Sequence, residues 1–259
     1  MALGICVLSS ISVLETPKFS SNRVYELLFG EAFTIIEQQK SWTRIQIMDT
    51  EIQGWIMEGQ YEMVEEVIST DFIIDEVGGY AVAGENKTMQ IFHGSPIPEN
   101  KSIVTASDNY KILSDLRDTQ EGYDEERDRE QLENFVASYL NTPYLYKGRT
   151  IHGLDSIGLC GLFYRHFGLE LPKDLESILQ IGTPIDFISE IKGGDLAFFV
   201  NEQGDVDHLG IIISDEEILH VVEKVRIDSI DNEGIYNHDL QQTTHRLRIV
   251  KRLDMRYEI

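Results

Sequence analysis

Short apolar runs, broken by glycine or polar turn residues at spacings of about ten residues, fill the first half of the chain and restrict it to small antiparallel β-structures. Ser12-Val13-Leu14 leads to a turn around Thr16-Pro17-Lys18. Val24-Tyr25-Glu26-Leu27-Leu28 follows, then the break Phe29-Gly30-Glu31 and the run Ala32-Phe33-Thr34-Ile35-Ile36-Glu37. After Lys40-Ser41, the alternating Trp42-Thr43-Arg44-Ile45-Gln46-Ile47 ends before Gly54-Trp55-Ile56. This pattern predicts a small β-barrel over residues 1–65. Residues 66–125 carry a weaker β signal. Asp71-Phe72-Ile73-Ile74 and Thr88-Met89-Gln90-Ile91-Phe92 flank turns at Gly78-Gly79 and Gly84-Glu85-Asn86, and Ser102-Ile103-Val104-Thr105 is a further candidate strand. A second small barrel is expected there. The charge-dense run Arg117 to Arg129 lacks apolar periodicity and reads as a linker ending in a helix.

The periodicity changes near Arg129. Leu132, Phe135, Val136, Tyr139 and Leu140 form a helical stripe, and a second helix is predicted from Ser156 through Leu159, Cys160, Phe163 and Phe167 to a stop at Gly168. Strands are expected at 195–200, 208–213, 217–222 and 247–250. Helices followed by an antiparallel sheet give an α+β order. The resulting domain expectation is 1–65, then 66–128 including the linker, then 129–259.

Charge and cysteine content narrow the function classes. Twenty-two basic against 45 acidic side chains in 259 residues leave a formal charge of −23. Nucleic acid and anionic membrane, which demand a basic face, are therefore not expected partners. Two cysteines, Cys6 and Cys160, cannot build a disulfide framework. Met1-Ala2-Leu3-Gly4-Ile5-Cys6-Val7-Leu8 has no Lys or Arg ahead of its apolar run, and Ser9, Ser10 and Ser12 interrupt it. Neither a signal peptide nor lipid attachment at Cys6 is expected, and the cytoplasm is the expected location. No Cys/His spacing suggests zinc, so neither metal nor organic cofactor is expected. His152, His166, His238 and His245 are read as loop or element-end residues.

Three features stand in order: a helix start at Asp155-Ser156, a strand start at His208 and a strand end at His220. A nucleophile at a helix N-terminus gains from the dipole and from free N–H groups. A histidine on a facing strand takes the proton, and a third polar group orients that imidazole. The surrounding words are specific. They are Asn141-Thr142-Pro143-Tyr144-Leu145-Tyr146-Lys147-Gly148-Arg149, Gly153-Leu154-Asp155-Ser156-Ile157-Gly158, Leu171-Pro172-Lys173-Asp174, Gly193-Gly194-Asp195-Leu196-Ala197-Phe198-Phe199 and Asp207-His208-Leu209-Gly210-Ile211. This series resembles the NlpC/P60 cysteine peptidases over nearly all of residues 131–259. Residues 1–65 resemble a bacterial SH3 domain through Gly30-Glu31, Trp42-Thr43-Arg44-Ile45 and Gly54-Trp55-Ile56. The resemblance implies a papain-like domain, helices on an antiparallel sheet, preceded by two SH3-like barrels. That arrangement is similar to cytoplasmic members that cleave γ-D-glutamyl–diamino acid bonds in murein peptides.

The resemblance also implies roles. Ser156 falls at the nucleophile position, His208 on the base, His220 on its orienting partner and Tyr144 near the oxyanion. Asp155 and Asp174 match substrate-holding positions, and Glu31 and Tyr61 match residues that wall the N-terminal side of the pocket. Departures gather at the same place. Ser156 replaces the family cysteine, Ile157 a serine, Lys147 the first glycine of a Gly-Gly pair, and Leu175 a small residue. Val222 and Glu223 stand where small residues usually follow the second histidine. These changes favour an inactive or impaired homologue that binds murein or other small peptides or serves as a scaffold. The alternatives are hydrolysis through Ser156 itself and an engineered serine in an otherwise active cysteine peptidase. Cys160, deeper on the same helix face, reads as a buried structural residue. The oligomeric state is left open by the sequence.

Overall fold

The computed structural model describes residues 2–67, 70–84, 87–120, 122 and 128–254. Glu85 and Asn86 of the expected turn, 121 and 123–127 of the expected linker, and 255–259 lie outside the described residues. The chain forms two compact units, Met1–Gln120 and Glu121–Ile259. It is mostly sheet with few helices.

In the N-terminal unit, β1 (Ala2–Cys6), β2 (Ser10–Leu14), β3 (Arg23–Leu28), β4 (Ala32–Gln39), β5 (Trp42–Ile47), β6 (Gln53–Met57) and β7 (Tyr61–Val64) form one sheet in the order β3-β2-β6-β5-β4-β1-β7. Every pairing in it is antiparallel. Further on come β8 (Phe72–Ile74), β9 (Gly78–Ala83), β10 (Lys87–Phe92), β11 (Ser102–Val104), β12 (Asn109–Ile112) and β13 (Leu116–Asp118). They make a sheet ordered β10-β9-β12-β11 and the pair β13-β8. Alternation assigns the faces. Cys6 joins a core with Val13, Leu27, Phe33, Ile45 and Ile56, while its neighbour Ile5 joins a second core with Phe29, Ile74, Ile91 and Ile103.

Two expectations are corrected in this unit. Gly78-Gly79 is not a turn but the start of β9, paired with Ile91 and Phe92 of β10. Arg117 is not linker: β13 pairs with β8, and the Arg117 guanidinium meets Asp75 at 3.8 Å. Both segments are too short, or too rich in glycine and charge, for alternation to register.

The C-terminal unit opens with α1 (Arg129–Tyr139), which buries Leu132, Phe135 and Tyr139. Leu140 is the C-cap and is 40% exposed, so the stripe ends one residue earlier than its spacing suggests. The short pair β14 (Arg149–Thr150) and β15 (Gly153–Leu154) precedes α2 (Ser156–His166). Then come α3 (Leu175–Gln180), β16 (Thr183–Ile185), β17 (Leu196–Val200), β18 (Val206–Ile212), β19 (Glu217–Val221), β20 (Val225–Ile230), β21 (Gly234–Asn237) and β22 (Gln242–Arg252). Strands β17 to β22 pair in succession, and β22 pairs with both β21 and β17, which closes a six-stranded antiparallel barrel. Shifts of register at Phe198/Phe199 and Ile235/Tyr236 bend the strands where the ring closes. Ala197, Phe199, Ile212, Ile218, Ile235 and Val250 fill one core of this unit. Helix α2 packs on β18 and β19, and Phe163 joins it to α1 through Phe135 at 5.3 Å. No helix among the described residues is long and apolar enough to cross a membrane.

Candidate active site

Ser156 is the first residue of α2 because Asp155 caps the helix. Asp155 Oδ1 accepts the Gly158 amide at 2.7 Å, and Oδ2 accepts the Lys147 amide at 2.9 Å. One carboxylate thus fixes both the helix start and the 141–149 loop. Burial raises the Asp155 pKa against the lowering effect of those two amides and of Lys147 and Arg149. Close packing of Gly148 and Gly158 completes the junction. A Cβ on Gly148 would lie 2.4 Å from the Gly153 carbonyl oxygen, and one on Gly158 would lie 2.0 Å from that of Gly148.

The half-buried Ser156 hydroxyl faces two acceptors, His208 Nδ1 at 3.3 Å and the Val221 carbonyl at 3.4 Å. His208, near the start of β18, is buried and places its Nε2 3.0 Å from His220 Nδ1. His220, near the end of β19, places its own Nε2 3.0 Å from Asp228 Oδ2. Asp228 is held from β20 by Arg226, whose Nε and guanidinium NH2 donate to its two oxygens at 2.6 and 2.9 Å; Arg226 also reaches Asp239 at 3.0 Å. Every hydrogen in this row can point the same way. The serine hydroxyl donates to His208 Nδ1, the His208 Nε2–H to His220 Nδ1, and the His220 Nε2–H to the Asp228 carboxylate.

The electrostatics agree with that direction. Burial, then the neighbouring His220 and His245, hold His208 well below the usual 6.5, so at neutral pH it is an uncharged imidazole able to accept a proton. Burial alone would raise Asp228, but the hydrogen bonds from His220 and Arg226 outweigh it and leave the carboxyl lower than usual.

Two residues of this site, Asp228 in the row and His245 beside it, are not candidates on sequence alone. Asp228 lies in an unpredicted strand. Its register, with His220 opposite Arg226 and Ile218 opposite Asp228, makes it the diagonal neighbour of His220 across the ladder. Its signal is the alternation of Val225-Arg226-Ile227-Asp228, masked by the turn-like Asp231-Asn232 that follows. His245 was read as a loop or element-end residue. It lies inside β22, and its ring stacks on His208 at 4.3 Å between centroids and 29° between planes.

The remaining candidates sit as follows. Tyr144 donates its amide to the Glu223 carbonyl at 2.9 Å and bridges to Leu154, so the loop joins the α2 entry to the β19–β20 turn while the side chain stays exposed. Ile157 and Val222 are half-buried, Glu223 is exposed, and the Lys147 ammonium lies 5.6 Å from the Tyr146 ring centroid. Lys147 has φ +55°, a left-handed conformation that favours glycine. Asp174 caps α3 by accepting the Ser177 amide at 2.9 Å, with Leu175 next to it. Cys160 is fully buried, and burial raises its thiol pKa. In the N-terminal unit, Glu31 Oε2 accepts the Leu28 amide at 3.0 Å and the Tyr61 hydroxyl lies 3.1 Å from Thr43 Oγ1.

Ring nitrogens of His208, His220 and His245 lie within 4.8 Å of one another, a spacing that a transition metal could bridge. His208 Nε2 and His220 Nδ1 lie 3.0 Å apart, and the His208 and His245 rings stack with 29° between their planes.

A family model described as "NlpC/P60 family" matches residues 141–244, which include Ser156, His208, His220 and Asp228. A "Probable endopeptidase NlpC" of Escherichia coli (strain K12) is 34% identical over 105 residues, 39% of this chain and 68% of that protein. A "Gamma-D-glutamyl-L-lysine dipeptidyl-peptidase" of Bacillus subtilis (strain 168) is 21% identical over 215 residues, 75% of this chain and 71% of that one. The crystal structure of an NlpC/P60 family protein from Bacillus cereus ATCC 10987 superposes with a TM-score of 0.73 at 16% identity, covering 96% of this chain and 99% of that chain, a likeness of fold.

Proposed function

As the chain belongs to the NlpC/P60 family, we propose that it binds a cell-wall peptide of the L-Ala-γ-D-Glu-diamino acid class beside Ser156 and hydrolyses it poorly or not at all. Relatives named for endopeptidase and γ-D-glutamyl-L-lysine dipeptidyl-peptidase activity support the peptide class. In this reading residues 1–65 and 66–128 are two SH3-like modules, the second with its linker, residues 129–259 are a papain-like domain, Ser156 stands where the family carries cysteine, and the protein works in the cytoplasm. Tyr144, Asp155 and Asp174 border the peptide.

The observation that carries the impaired step is the position of the Ser156 hydroxyl. It sits between two acceptors, neither nearer than 3.3 Å, and one of them is the inert Val221 carbonyl. A thiol at this place would give its proton to His208 and persist as a thiolate. A hydroxyl has no appreciable alkoxide form at neutral pH and depends on a short, well-aimed contact with its base. Half-buried Ile157, next to Ser156, and Val222, next to Val221, add branched bulk near that contact. The second reading, hydrolysis through Ser156, is favoured by the unbroken donor direction from Ser156 to Asp228 and by a His208 that is neutral and free to act as general base.

Incubation with L-Ala-γ-D-Glu-diaminopimelate, with the chain as written and as Ser156→Cys, separates the readings. The expected result is no turnover by the serine form, with heat of binding in calorimetry. Turnover by the serine form would establish the second reading. Absence of binding heat at about millimolar peptide, the weak end of specific recognition, would overturn the peptide assignment.

A further inference from the structure

We infer that His245 is a positioning residue for His208: its stacked ring holds the His208 imidazole in the plane that points Nδ1 at Ser156 and Nε2 at His220. The inference concerns the geometry of this site, and only its kinetic consequence rests on the function proposed above.

Hydrogen bonds at the two nitrogens of His208 act along the plane of the ring. They fix which edge faces Ser156 and which faces His220, but they resist tilting about the line joining the nitrogens only weakly. Resistance to tilt must come from contacts on the ring face. The His245 ring supplies it, nearly parallel to His208 at 4.3 Å and 29°. Phe199 adds a tilted contact at 5.8 Å, and His220 stands edge-on to both imidazoles at 89° and 78°.

His245 is itself held. Its Nδ1 lies 2.9 Å from Thr244 Oγ1, and its backbone pairs with Ile235 of β21. The neighbouring Gly234 has φ +143°, and a Cβ there would fall 1.8 Å from the His245 carbonyl oxygen, so β21 approaches the His245 backbone as only glycine allows. His245 also lines a cleft of about 860 Å³ with Asn201, Asp207, Glu233 and Arg246.

An imidazole also does what a phenyl ring could not. The titratable groups that face His245 are His208 of β18, His220 of β19, Asp207 ahead of His208, Asp228 of β20, and Glu223 after β19. Burial and His220 hold His245 down against the three acids, and a proton on any one of the three imidazoles opposes a proton on the next.

The test compares His245→Ala and His245→Phe by ¹H–¹⁵N spectra of the imidazoles, with circular dichroism as the check on folding. In the unaltered chain His208 should show one tautomer, Nε2 protonated and Nδ1 bare. His245→Ala should average the two nitrogen shifts and raise the His208 titration midpoint by about one pH unit, the size of one lost like-charge neighbour and partial rehydration. His245→Phe should keep the single tautomer. In a Ser156→Cys background that cleaves peptide, His245→Ala should lower kcat about tenfold with little change in KM, as loss of orientation does, and His245→Phe should recover most of it. An unchanged His208 spectrum in folded His245→Ala overturns the inference, and so does averaging in folded His245→Phe. If the Ser156→Cys chain cleaves no peptide, calorimetry still decides the peptide assignment and the spectra still decide the role of His245.

Discussion

Asp228 accepts the Nε2–H of His220 at 3.0 Å, and the two side chains are 2% and 1% exposed. The same carboxylate accepts from Arg226, so it serves two donors at once. Replacing it with alanine leaves His220 Nε2 and part of the guanidinium unpaired in a dry place. Asp228→Ala should lower the free energy of unfolding by about 3–5 kcal/mol in urea titration, and Asp228→Asn by less because the shape is kept. Both should mix the two tautomers of His220, with ¹H–¹⁵N spectra of the imidazoles as the check. A loss under about 1 kcal/mol for alanine would show that the ion pair with Asp239 is enough to hold Arg226.

His208 and His245 both have proton affinities lowered from the usual 6.5, mainly by burial. The unfolded chain therefore binds their protons at a pH where the folded chain does not, so stability must rise with pH across that window. Above about 6.5 these two groups contribute no slope, and as pH falls from there toward their lower native values the fold loses stability. Asp228 acts in a separate, more acidic window: its lowered pKa stabilises above the unfolded carboxyl value and is lost as pH falls through the native one. Urea midpoints measured between about pH 7.5 and 5.5 should decline on acidification, and His245→Phe should flatten part of that decline.

Lys147 and Gly148 are adjacent and should respond in opposite ways. Lys147 occupies a left-handed backbone conformation, so Lys147→Gly should stabilise by about 0.5–1 kcal/mol after the entropy of glycine in the unfolded chain is counted. A Cβ at Gly148 would meet the Gly153 carbonyl oxygen at 2.4 Å, so Gly148→Ala should destabilise by about 2 kcal/mol or more. Thermal unfolding of both variants checks the pair of signs.

Burial raises the thiol pKa of both Cys6 and Cys160. The native chain should leave an aromatic disulfide reagent unreacted, and both thiols should appear only in denaturant. Ser156→Cys should add a single fast-reacting thiol in the native state, because its sulfur would sit beside His208 at the start of α2. Labelling of Cys160 in the folded protein would contradict its packing.

What the sequence made legible follows from how each signal is written. The stripe Leu132, Phe135 and Tyr139 and the cap Asp155 are local, and both appear where their spacing puts them. Ser156, His208 and His220 were picked out in order along the chain, and the sheet brings them to within 3.3 Å of one another in sequence of contact. Asp228 and His245 were not legible because their parts in the site come from strand register, which no local pattern encodes. Asp228 reaches His220 only through the diagonal of the β19–β20 ladder, and His245 reaches His208 only because β22 folds back to close the ring. The charged run at Arg117 misled for a related reason. A strand of three residues, β13, is too short to show a period and is defined by its partner β8 alone.

Strand β22 has a consequence for the order in which the protein comes into being. Of the six barrel strands it is the last to be made, and among the described residues it alone joins β21 to β17. Until it emerges, the nascent barrel holds Ser156, His208, His220 and Asp228 but lacks the ring that backs the base, and β17 and β21 expose unpaired edges. Such edges are where neighbouring nascent chains stick together. The barrel therefore completes its site and pairs both edges in one step, the arrival of β22.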